Sequence, residues 1–144
     1  MKKKIFLFVL IAVLLTTVSC EKEGLLTKSG IANTTLITEN AILKFTGILN
    51  STSGISGSGK VKIYLDNGTY KLSFENYTIS SGPDLKVYLS KTANTSSDFI
   101  NLGSANGSSV YTIPQQADLL TYKYVLIHCQ QYNHLFATGL LIQN

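Results

Sequence analysis

The chain has no arginine, one methionine, two histidines and two cysteines, and only 14% of its residues are charged. Each shortage closes off a class of function. Without arginine there is no guanidinium fork, the side chain that most often reads a guanine edge or clamps a phosphate. The formal net charge of +4 does not compensate, because Lys2, Lys3 and Lys4 sit in a leader-like segment and leave nine lysines against eight acidic residues. A near-neutral body offers no electrostatic footprint, so nucleic acid is not an expected partner. The lone methionine is Met1, and no histidine precedes His128. A blue-copper centre needs Cys, two His and a weak axial ligand, and tetrahedral zinc needs four donors, so no metal site is expected. No Ser-His-Asp grouping or paired-carboxylate motif is readable, and no enzyme is expected. After residue 20 no apolar run is long enough to cross a bilayer as a helix.

What is present begins with MKKKIFLFVLIAVLLTTVSC. A cationic start, an apolar stretch from Ile5 to Leu15 and a short Thr-Thr-Val-Ser segment form the layout of an export signal over residues 1–19. Thr17-Val18-Ser19-Cys20 resembles a lipobox, the signal after which cysteine is diacylated and becomes the first mature residue. Cysteine suits that role because its thiolate is the nucleophile. More than one acyl chain gives stable anchoring, each buried methylene contributing about 0.8 kcal/mol. Ordinary cleavage near Ser19, with Cys20 an incidental thiol, is the competing reading. Residues 20–40 then read as a lipidated tether and lead-in, and 41–144 as one domain of ordinary size. The expected partner of the amino terminus is membrane lipid. The expected location is the bacterial cell envelope, periplasmic or surface-exposed.

The domain reads as antiparallel β. Val61, Ile63 and Leu65 alternate with polar residues up to Asn67-Gly68, and Tyr70, Leu72 and Phe74 resume the alternation after it. Asn-Gly is the preferred two-residue type I′ hairpin turn, because both central positions take positive φ. The register follows: Asp66 faces Thr69, Leu65 faces Tyr70, Ile63 faces Leu72 and Val61 faces Phe74. Further strands are expected over residues 41–49, 85–90, 110–113, 122–129 and 135–142, with loops at 50–59 and 91–98 and one helical turn within 115–121. Strands at this spacing argue for an antiparallel sandwich or barrel of about eight strands. Alternation places Tyr64 and Tyr88 outward.

Two stretches resemble the DM-thirteen domain, an extracytoplasmic module also found beside DOMON domains in Skeletor-like proteins. Gly82-Pro83-Asp84-Leu85-Lys86-Val87-Tyr88-Leu89-Ser90 is similar to its hallmark segment. Tyr124-Val125-Leu126-Ile127-His128-Cys129 is similar to its near-terminal cysteine stretch, with His128 where the family usually has tryptophan. The resemblance covers residues 41–144. It implies an all-β fold and a redox role for the cysteine, as a bare thiol or as the ligand of a haem-like group.

If Cys20 is acylated, Cys129 is the one thiol of the mature chain, and no intramolecular disulfide forms. Three fates stay open: an inert core residue, a redox or ligand role, or pairing with another chain. Alternation puts Cys129 with Val125 and Ile127 and puts His128 on the opposite side. His134 lies across the following turn. The rival to a membrane-tethered redox domain is a binding or adhesion module, its loops 50–59 and 91–98 presented to a partner and Cys129 in the core.

Overall fold

In the computed structural model, residues 37–144 other than 97 and 107–109 are described. The expected export signal, Cys20 and the expected tether as far as residue 36 lie outside them.

Local chemistry sets the first ribbon. Asn67 and Gly68 have φ of 49° and 78°, as a type I′ turn requires. This turn joins β2 (Gly57–Asp66) to β3 (Thr69–Ile79). Their register is Asp66 to Thr69, Leu65 to Tyr70, Ile63 to Leu72 and Val61 to Phe74, as read from the sequence. Val61, Ile63 and Leu72 have no exposed surface. A one-residue slip would turn all of them to solvent, which is why the register is well specified.

The remaining strands are β1 (Ile42–Ser51), β4 (Leu85–Ser90), β5 (Phe99–Ser104), β6 (Val110–Thr112), β7 (Tyr124–Cys129), β8 (His134–Leu140) and the short β9 (Ile142–Gln143). The spatial order is β5-β4-β7-β8-β1-β2-β3-β6, with β9 added to β1 below β8, and every pairing is antiparallel. The sheet curls until its two ends meet. There the Tyr111 hydroxyl of β6 donates to the Ser104 carbonyl of β5 at 2.8 Å, so the barrel is nearly closed. The expected all-β class is correct, and no helix occurs among the described residues.

Bulges shape this wall. Ile127 pairs with Ala137 but His128 with Leu135, which makes Phe136 an extra residue on β8. Phe136 and Ala137 are consequently both buried in the core. Three details depart from expectation. The Gly-Ser-rich stretch 50–59 is half strand, with residues 52–56 left as the turn. Strand β5 was not anticipated. Tyr88 is only 2% exposed, although it is on the outer side of β4 as expected. The ring of Phe99 stacks on it at 4.4 Å, so outward does not mean exposed here. The helical turn expected in 115–121 is found as one turn closed by Tyr122 N donating to Asp118 O at 2.7 Å.

At the turn end of the β2–β3 ribbon, the buried Asp66 carboxylate gathers donors from both sides of the chain. It accepts Lys71 Nζ at 2.7 Å, Thr38 N at 3.1 Å, Thr38 Oγ1 and Asn67 Nδ2. The Lys71 ammonium, and then Thr38, hold its pKa down at about 2, below the usual 3.8. A carboxyl whose folded pKa is depressed stabilises the fold above its unfolded value, and that contribution is lost as pH falls towards the folded one. We therefore expect the clasp on Thr38 to loosen between about pH 4 and pH 2. The Thr38 amide resonance followed by NMR should report it, and Asp66→Asn should abolish the dependence in that window.

Candidate functional site

Strands β4 and β7 bring the two notable sequence stretches together. Leu85 pairs with Cys129, Lys86 with His128, Val87 with Ile127 and Leu89 with Val125. The turn before β4 is locked to the end of β7 by Gln130 N donating to Asp84 O at 2.9 Å. Segment 82–90 and the cysteine strand thus form one two-stranded wall.

Each residue of the first segment has a physical task. A Cβ on Gly82 would stand 2.7 Å from Leu85 Cδ2 and 3.1 Å from Phe136 Cζ. Only glycine lets the turn press against those buried side chains. Pro83 and Asp84 make the turn itself. The Asp84 carboxylate pairs with Lys86 Nζ at 2.7 Å on the outer face. Both are partly exposed, so the pair contributes modestly. Leu85, Val87 and Leu89 point inward and are buried.

Cys129 is fully buried among the core side chains. His128 is on the other side of the strand, as alternation requires, and is also buried at 5% exposure. Its Nδ1 finds no hydrogen-bond partner among the described residues, and neither do Tyr77 Oη and Thr138 Oγ1. Burial lowers the pKa of His128 below the usual value, a hydrogen bond with Asn133 partly offsets this, and His134 adds to the lowering. The imidazole is therefore neutral near pH 7. His134 pairs with Cys129 across the β7–β8 turn, but its side chain is exposed and rests edge-on against Phe136 at 5.5 Å. The structure brings His134 next to Cys129 in register without bringing the imidazole into the core.

A second aromatic group lies at the seam. Tyr77 stacks on Phe74 at 4.6 Å, and Tyr111 meets Phe74 edge-on at 5.9 Å. Burial raises the hydroxyl pKa of both tyrosines to about 12. Sequence alone gave no hint of this group, since Tyr77 follows Asn76, whose φ of 50° breaks the strand's alternation.

The profile of a known family, described as "Electron transfer DM13", matches residues 49–139. The chain belongs to the electron transfer DM13 family. Searches of curated proteins and of solved structures returned no match. The matched span contains both strands of the β4–β7 wall, with Gly82, Pro83, Asp84, Leu85 and Cys129.

Does this DM13 domain fit a haem-like group at its cysteine? Such a group needs a flat open space beside its sulfur ligand. Cys129 is instead surrounded by packed core, with Leu85 as its cross-strand neighbour. Cavities of about 330 and 220 Å³ lie on the outer face of β1–β3 and do not touch it. The unpartnered nitrogen of His128 faces away from the sulfur. The residues at Cys129 do not fit a macrocycle. Among the described residues, no three His, Cys, Asp or Glu side chains gather within ligating distance of one another.

Proposed function

We propose that this protein is a lipid-tethered module of the cell envelope, anchored through Cys20, whose DM13 domain takes part in electron transfer with Cys129 as its redox-active sulfur. The observation that carries this reading is the pairing of Leu85 with Cys129, which joins the Gly82–Ser90 segment and the cysteine strand into one wall within the matched family span. The lipobox-like sequence before Cys20 supports the anchor.

A second reading is favoured by the complete burial of Cys129. Reactive cysteines sit in partly exposed, electropositive surroundings, whereas this one has no exposed surface. In that reading the sulfur is a small core residue, and the barrel is a binding or adhesion module that acts through its outer surface. Both readings are non-enzymatic.

Voltammetry of the purified mature protein adsorbed on an electrode separates them. Electron transfer at sulfur gives a redox wave that disappears in Cys129→Ala, while the folded content measured by circular dichroism is retained. A silent wild type, or a wave that survives the substitution, sinks the redox reading and leaves the structural one. Mass spectrometry of the amino terminus tests the anchor separately. An unmodified free amine on the first mature residue would refute it.

A further inference from the structure

The outward face around β1 carries a feature that neither the sulfur nor the DM13 wall uses. Ile48, Leu140 and Ile142 are 56%, 46% and 63% exposed. The pairings Thr46 to Ile142 and Asn50 to Thr138 set these three side by side on adjoining strands. Isolated exposed apolar residues are ordinary, but a contiguous group on a strand face marks a contact surface.

Charge is segregated on the same face. Lys60 pairs with Ile48 across β1–β2 and with Glu75 across β2–β3 in the backbone register, and Lys62 pairs with Thr46. Glu75 is taken up by Lys62 at 3.0 Å. Lys44, Lys60 and Lys123 have no acidic partner among the described residues. Lys123 rests over the ring of Tyr124, itself the cross-strand neighbour of Leu140. Glu75, the carboxylate in register with Lys60, is already paired with Lys62. With seven lysines and six carboxylate side chains among the described residues, the domain nevertheless presents an apolar strip edged by ammonium groups without an acidic partner among those residues.

We propose that this face docks on the surface of an anionic lipid bilayer. The apolar side chains enter the boundary between headgroups and acyl chains, and the lysines meet lipid phosphates while their stems lie along the apolar strip. A cavity of about 330 Å³ between Thr46, Ile48, Lys62 and Ile142 offers room for a headgroup. Chain length agrees with this occupant. Thr38 is eighteen residues beyond Cys20, and a fully extended stretch of that length reaches no more than about 65 Å. The chain enters the barrel at the Ile42 end of β1, where Asp66 holds Thr38. A second copy fits less well, because a two-fold pairing of this patch sets its lysines against their own copies. The proposal rests on the lipid-anchor reading for its setting, and the test below separates the two.

The lipidated mature protein is reconstituted in phosphatidylcholine vesicles with or without phosphatidylglycerol. Ile142→Trp supplies the reporter, since the chain has no tryptophan, and Ile48→Trp is a second one should the first disturb folding. Docking predicts strong quenching by brominated lipid in the anionic vesicles. It also predicts a several-fold loss of quenching in neutral vesicles, in 0.5 M salt, or after Lys44→Gln, Lys60→Gln and Lys123→Gln together. An unquenched reporter in a protein shown by mass to carry its acyl chains overturns docking and leaves the anchor standing. Quenching indifferent to salt and to the three lysines overturns it too, as does a buried reporter in a vesicle-free dimer. If the amino terminus is unacylated the anchor reading fails instead, and docking is then judged by whether that same chain sediments with phosphatidylglycerol vesicles.

Discussion

Cys129 should react with an aromatic disulfide or a maleimide no faster than the folded domain opens. The sulfur has no exposed surface, and it is covered by a close-packed wall, not by a mobile loop. For a domain with ordinary stability of about 5–15 kcal/mol, labelling in buffer should be slowed at least ~10³-fold relative to the chain in denaturant. Substitution at the same position gives an independent measure. Cys129→Ser buries a hydroxyl among Leu85 and its apolar neighbours and should cost about 1–3 kcal/mol. Cys129→Ala loses only a small side chain and should cost less. Rapid labelling of the native protein would show that the sulfur is reachable and would restore thiol exchange as chemistry open to this chain. Slow labelling confines any redox event to electron movement through an intact core.

The second large effect is expected at Gly47. This residue is buried on β1, and a Cβ there would stand 2.6 Å from the Leu140 carbonyl oxygen and 3.3 Å from its carbon. Those are backbone atoms of the neighbouring strand end, which cannot swing aside as a side chain can. Gly47→Ala should part β1 from β8 and β9 and cost about 1–3 kcal/mol, with Gly47→Val costing more. Roughly 4–8 °C of melting temperature is lost per kcal/mol in a domain of this size. Thermal denaturation followed by circular dichroism checks it. Ser58→Ala, an exposed change on the facing strand, should stay within about 0.5 kcal/mol of the wild type. A Gly47→Ala protein that melts with the wild type would mean that the strands adjust more freely than this packing allows.

Much of the architecture was legible because two signals agreed at the same residues. Asn67-Gly68 fixed the turn, the alternation from Val61 to Phe74 fixed the face, and the observed pairings follow both. The opposite sides taken by His128 and Cys129 were likewise readable from alternation. Composition misled where glycine serves packing instead of flexibility. Gly57 sits within β2 because Ile79 and the Thr78 carbonyl leave no room for a Cβ, and at Gly59 a Cβ would press tightly on Tyr77. Strand β5 was hidden for another reason. Its pairing with β4 slips by one between Val87 and Tyr88, and Gly103 has a φ of 122°, so no period of two survives in Phe99–Ser104. Period tells which side of a sheet a residue takes. It does not tell what lies on that side, and the covering of Tyr88 by Phe99 depends on a strand remote in sequence. The orphaned Nδ1 of His128 has no sequence signal at all, since it arises from packing on both sides of β7.

The placement of β1 between β2 and the final strands has a consequence for how the molecule is made. Asn50 and Ser51 find their partners at Thr138 and Ala137, and Thr46 waits for Ile142. A chain delivered amino end first can form the β2–β3 ribbon early, yet one flank of β1 stays unsatisfied until nearly the last residue arrives. Completion of β1 is thus a late event by topology, and that strand flank stays bare until β8 and β9 have been made.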